Sequence, residues 1–277
     1  MTELSPAAQA AHDALLKRIQ QNDIEVPMLP EVASKVLSLA NDPESDALQI
    51  ANIIQSDQAM AANILRIANS PAYTPAANVI SLQQAVSRLG LRTMAEVAIA
   101  ASINSKMFNA PGFENRIKEL WDDALHTGLW AKEVARISKR NVEAAFLCGL
   151  LHSIGRPMLL QWLAEGYPHL TKDEMLAVED KLFVQANRAV VQTWGLPEII
   201  LQGISEYIGE INTLSDIASV VRAGILMTIW STTPDRDPVE NEEHGSSLAI
   251  LHLFKDDIEN LKMKFNDVNA TADVMCA

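Results

Sequence analysis

Asn141-Val142-Glu143-Ala144-Ala145-Phe146-Leu147-Cys148-Gly149-Leu150-Leu151-His152-Ser153-Ile154-Gly155 decides the architecture. Asn141 is a natural N-cap, because its short side chain can accept a hydrogen bond from an amide of the first helical turn. From Ala144 to Leu151 the segment is nearly all apolar and lacks the two-residue alternation of a half-buried strand. A helix that is hydrophobic all round belongs at the centre of a larger body. The rest of the chain must then supply helices to surround it.

It does so on both sides. Twelve prolines leave long proline-free runs at 44–70, 76–110, 112–156, 169–196 and 198–233, each with helical periodicity. Val32, Val36, Leu39 and Ala40 share a face, as do Ile50, Ile53 and Ile54 behind Ser45-Asp46. Met60, Ile64, Ile67 and Ala68 form the next stripe, ended by a sharp turn expected at Asn69-Ser70-Pro71. Ser81-Leu82-Gln83-Gln84 and Thr93-Met94-Ala95-Glu96 read as capping boxes, the first helix stopping at Gly90 and the second reaching about Phe108. A long helix from Glu114 to Arg140 follows, then the central helix. A third capping box, Thr171 to Glu174, opens a helix carrying Leu182, Ala186, Val190 and Trp194. Ser215 opens the last core helix, and 248–265 reads as a terminal helix.

The expected fold is all-α, with two helical layers and no fixed-period repeat. Pro111-Gly112 separates an N-terminal helical subdomain, 20–110, from a second one, 113–233. Residues 234–277 form a polar connector and a C-terminal helix. Leu251, Phe254, Ile258, Leu261 and Phe265 give that helix a two-heptad apolar seam, which would dock on the body or on a second protomer as a homodimer.

With 277 residues, 48% of them hydrophobic, the chain can bury a sizeable core. Its formal net charge of −13 disfavours phosphate backbones and anionic lipid head groups, so neither nucleic acid nor a membrane surface is expected as a partner. The pair of short helices around Gly90 could mimic a helix-turn-helix, but the second offers only Lys106 as a base after Arg92. Two cysteines, Cys148 and Cys276, make neither a disulfide framework nor a four-thiolate zinc site. Residues 1–6 lack a basic region and an apolar block, and no stretch reaches membrane-spanning length, so a cytoplasmic location is expected.

Candidate chemistry is sparse. His152 ends the central helix and is followed by Ser153, where a hard divalent cation would want a carboxylate. Asp122, Asp123 and His126 lie on the long helix, with Asp122 and His126 four residues apart. No His-Glu-x-x-His, Gly-rich phosphate loop or Gly-x-Ser-x-Gly is present. The residues taken alone describe a helical protein without a complete catalytic set.

Five ordered blocks resemble the HDOD family, relatives of the HD metal-dependent phosphohydrolases. They are Leu29-Pro30-Glu31-Val32 through Pro43, Ile54-Gln55-Ser56-Asp57 through Tyr73, Ser81 through Gly90, Ala145 through Gly155, and Trp194-Gly195-Leu196-Pro197-Glu198. The resemblance spans about residues 20–230. It implies an HDOD-like bundle and a role in bacterial-type signal transduction. It also implies where an HD metal set would lie: a first His, a His-Asp pair and a distal Asp. Asp123 stands at the first position with His126 three residues on, His152-Ser153 replaces the pair, and Gly224 takes the distal place. Phe183-Val184-Gln185 and Tyr207-Ile208-Gly209 occupy the regions of the later histidines. These positions are vestigial, and the expectation is no catalytic residue, no metal and no cofactor, with unidentified signalling proteins as partners. Two alternatives stand beside it. One is a metal-dependent phosphohydrolase with displaced ligands Asp122, His126 and His152; the other is a nucleotide-binding sensor without turnover.

Overall fold

A computed structural model describes residues 3–40, 45–70, 79–103, 107–210, 213–233, 238 and 246–276. Among these there are fourteen helices and no strand. They run α1 Pro6–Gln20, α2 Glu31–Ala40, α3 Ala47–Gln55, α4 Gln58–Ala68 and α5 Leu82–Ser102. Then come α6 Glu114–Ile137, α7 Val142–Leu151, α8 Gly155–Gly166, α9 Lys172–Thr193 and α10 Glu198–Glu206. The last are α11 Asp216–Thr232, α12 Ser246–Ile250, α13 Lys255–Lys262 and α14 Phe265–Cys276. The all-α expectation is met, and no described helix is long and apolar enough to cross a membrane.

The chain forms two compact units. One comprises residues 1–27 and 105–255, and the other residues 28–104 and 256–277. In the first, α7 is the centre. The Asn141 side chain accepts from the Ala144 amide at 2.9 Å, and Ala144, Ala145, Phe146, Cys148, Gly149, Leu150 and Leu151 are all buried. α6 packs on both α7 and α11, α8 packs on α9, and α1 lies along α9. Glycine permits these close crossings. A Cβ on Gly149 would stand 2.7 Å from the Gly128 Cα and from the Thr127 carbonyl oxygen, so α6 and α7 meet backbone to backbone. Thr127 and Thr228 join α6 to α11 through their hydroxyls, 3.2 Å apart. At the head of α9 the Thr171–Glu174 capping box forms with both of its bonds.

In the second unit α2, α3 and α4 pack against α5. Asp46 and Gln49 form a reciprocal capping box on α3, and Asp57 caps α4 through the Met60 amide at 3.0 Å. α4 stops at Ala68, ahead of Pro71, which lies outside the described residues with the rest of 71–78. Asn69 holds the two sides of that segment together. Its amide nitrogen donates to the carbonyls of Leu65 and Val79 at 2.9 and 2.8 Å, and its oxygen accepts from the Val79 amide at 2.6 Å.

Three local expectations change. The Ser81 hydroxyl accepts from the Gln84 amide, but Gln84 returns its bond to Ile80 rather than to Ser81. Gly90 breaks α5 with φ +80°, and helical conformation resumes at once, so Thr93 lies inside the first turn instead of capping it. That second stretch ends at Ser102, short of Phe108. The largest correction concerns the terminal helix over 248–265. It is divided into α12, α13 and α14, with His252 at φ +55° in the first break. Phe254 is 71% exposed while Leu251 and Leu253 are buried, so the heptad seam does not exist as a continuous stripe. α14 instead packs on α4 and α5. The polar connector lies almost wholly outside the described residues.

Candidate functional site

The buried helix α7 delivers His152 to a tight turn, and α8 begins three residues later. Asn187 of α9, fully buried, clamps that turn. Its amide nitrogen donates to the His152 carbonyl at 2.5 Å, and its oxygen accepts from the Gly155 amide at 2.6 Å. A second donor, the Tyr207 hydroxyl, reaches the same carbonyl at 3.2 Å. The close fit of Gly155 on α9 leaves no room for a Cβ, which would stand 2.5 Å from the Asn187 main-chain nitrogen.

A cleft of about 620 Å³ opens beside this turn, within the first unit. Asp123 comes to it from α6, His152 and Ser153 from the turn, Arg156 from α8, Phe183 from α9, and Ile225 from α11. The imidazole is held in one tautomer. Nδ1 is 2.7 Å from the Gly149 carbonyl, and because a carbonyl only accepts, the proton of the neutral ring sits on Nδ1. That leaves the lone pair on Nε2, 3.9 Å from the Asp123 carboxylate. The ring meets Tyr207 edge-on, with centroids 5.6 Å apart. Burial pushes the His152 pKa below the ordinary histidine range, although Asp123 and the Gly149 carbonyl pull the other way. Burial also pushes the Tyr207 phenol up.

Arg156 is the fixed cation of the cleft. It donates to Glu179 at 2.5 Å and to Asp180 at 3.1 Å, and its guanidinium lies 3.9 Å over the Phe183 ring. Glu179 is almost fully buried, and burial raises its carboxyl above the usual range against the opposing pull of Arg156.

The structure brings Asp123, His152 and Ser153 together at the cleft. It does not bring His126 or Gly224 there. His126 turns its Nδ1 to the Asp122 main-chain oxygen at 2.8 Å, a bond within its own helix. The displaced ligand set Asp122, His126 and His152 therefore does not converge. Gly224 faces α6, where a Cβ would stand 2.9 Å from the Ala131 Cβ and 3.0 Å from the Thr127 oxygen. It is a packing glycine, and the α11 residue that lines the cleft is Ile225. Among the described residues no three His, Cys, Asp or Glu side chains are placed to hold one metal ion. Asp123, 55% exposed, is the carboxylate that faces His152, while at the same cleft Asp180 is bound to Arg156 and Glu119 lies 3.9 Å from Arg116, so this donor set does not fit a resident divalent cation.

Arg156, Glu179 and Asn187 escaped the reading of the sequence as site residues. One signal was available: Glu179 falls in register with the stripe Leu182, Ala186 and Val190, and a carboxylate on a buried stripe needs a partner.

A family model described as the HDOD domain matches residues 26–207, well over half of the chain. Solved structures share the fold. A protein from Shewanella amazonensis SB2B, described as a "Putative metal-dependent phosphohydrolase", superposes with a TM-score of 0.73 at 20% identity, covering 97% of this chain and 100% of that one. An HDOD domain protein of unknown function from Geobacter sulfurreducens gives 0.68 at 20% identity, over 94% and 99%. A "Putative signal transduction protein" from Marinobacter aquaeolei VT8 gives 0.65 at 20% identity, over 100% of this chain and 68% of that one. A comparison with curated proteins finds no match.

Proposed function

Because this chain belongs to the HDOD family, we propose that it is a signal-transduction module that acts through protein contacts in the bacterial cytoplasm and catalyses no reaction. The observation that carries this reading is the donor set at the cleft. His152 Nε2 faces a single carboxylate, its chain neighbour is Ser153, and Arg156 supplies the positive charge. Metal-assisted phosphoester hydrolysis needs a cation held firmly enough to acidify its bound water and to stabilise charge in the transition state. Two protein donors leave most of the coordination sphere to solvent. Asp123, His152, Ser153 and the Gly224 position are on this view remnants of a metal set, and the partners are other signalling proteins.

The test is elemental analysis of the purified full-length protein, with hydrolysis assays on phosphomonoesters, nucleotides and cyclic dinucleotides. Neither stoichiometric metal nor turnover above background is expected. Ser153→Asp should not create activity, because the first and distal ligands stay missing. One tightly held transition metal per chain, with turnover lost in His152→Ala, overturns the reading.

A further inference from the structure

Asp123 and the neutral imidazole of His152 present two hydrogen-bond acceptors to each other. Nδ1 of the ring is committed as donor to Gly149, so Nε2 has a lone pair and no proton. The nearest Asp123 oxygen is 3.9 Å away and has only lone pairs as well. Two facing acceptors are satisfied when a donor stands between them, and one nitrogen about 2.8–3.0 Å from each spans such a gap. Arg156 directs one terminal nitrogen to Glu179 and the other to Asp180, so its bonds run to α9 and not to this pair.

The charges around the pair set the kind of donor. The cleft is lined by the carboxylates of Glu119, Asp123 and Asp180 and by the guanidinium groups of Arg116 and Arg156, an excess of one negative charge while His152 is neutral. Arg156 is bound on two sides by carboxylates, which weakens it as an anchor for an anion. Beyond the polar pair, Leu120, Ile208 and Ile225 supply an apolar wall. We propose that the cleft binds a small primary amine as its ammonium ion, the nitrogen bridging His152 Nε2 and the Asp123 carboxylate and the hydrocarbon part lying on Leu120, Ile208 and Ile225. An ammonium group donates three hydrogens, enough for both acceptors with one left for water. In the signalling module this is the input. The inference rests on the non-catalytic reading of the cleft, because a resident metal would compete for the same two groups.

The experiment uses the intact protein at neutral pH, with the side-chain nitrogen resonances of His152 followed by NMR while n-butylamine is added. Sodium butyrate serves as the anionic counterpart of equal length, and n-butanol as the neutral one. Butylamine should shift the Nε2 resonance saturably, and butyrate and butanol should not. Asp123→Asn keeps an acceptor but removes the charge at a half-exposed position, so folding is retained and butylamine binding should weaken about tenfold. An unmoved Nε2 resonance, an equal response to butyrate, or an Asp123→Asn variant that binds butylamine as well as the parent overturns the inference. Those results leave the non-catalytic proposal standing, whereas bound metal with turnover would remove both.

Discussion

Asn187 and His152 are joined by a fully buried hydrogen bond, from the asparagine amide to the histidine carbonyl, that fixes the turn carrying the imidazole. The same asparagine accepts from Gly155, so one side chain satisfies both ends of the α7–α8 connection. Asn187→Leu should cost about 3 kcal/mol, because it leaves the Gly155 amide buried without an acceptor. Tyr207→Phe should cost about 1 kcal/mol, since the His152 carbonyl still has Asn187. Urea denaturation followed by circular dichroism orders the two, and an Asn187→Leu variant no less stable than Tyr207→Phe would show that the clamp is idle.

Gly149 and Gly166 make a matched pair of opposite sign. Gly149→Ala pushes a Cβ to 2.7 Å from the α6 backbone, which cannot yield without separating two central helices. A loss of about 3 kcal/mol or more is expected. Gly166, at the end of α8, has nothing within 4 Å of its Cβ position, so Gly166→Ala should stabilise by about 0.4–1 kcal/mol. Denaturation midpoints moving the same way in both variants would contradict the backbone-contact account.

Acid should weaken the protein through His152. Its folded pKa is depressed by burial below the ordinary 6.5, so the unfolded chain takes up a proton that the folded chain refuses. The contribution is fully present above pH 6.5 and is lost as the pH falls from there through the folded pKa, by at most about 1.4 kcal/mol per pH unit. Glu179, whose carboxyl is raised, acts in the opposite direction, and comparison with His152→Gln removes its contribution. Parent and variant should diverge below pH 6.5 and run parallel above it. Parallel curves throughout would mean that His152 titrates alike in both states.

Removing residues 256–277 should loosen the unit built from residues 28–104. α14 buries Val268, Ala272 and Met275 and packs on α4 and α5, so about 3 kcal/mol or more is lost. Hydrogen exchange should accelerate in α4 and α5 while α7 keeps its protection. A fall in solution mass from dimer to monomer, with exchange unchanged, would instead assign the segment to self-association.

The sequence by itself determined the parts whose causes are local. Asn141, Asp57, Thr171 and Ser215 cap their helices because each bonds to an amide within three residues, and Gly90 breaks α5 because a positive φ suits glycine. The unbroken apolar run of α7 placed that helix in the core. Only the tertiary structure decided what those helices bring together. The partners of His152 come from α6, α9 and the residue that ends α10; Gly128, Gly149 and Gly224 let α6 approach α7 and α11 closely, and Gly155 lets α8 approach α9. Such crossings leave no periodic trace in the chain. The close approach of Gly224 to Ala131 is visible only in the packed helices. Likewise, a seam of perfect heptad spacing at the C-terminus is cut by the turn at His252, since spacing says which residues could share a face but not whether the helix between them survives.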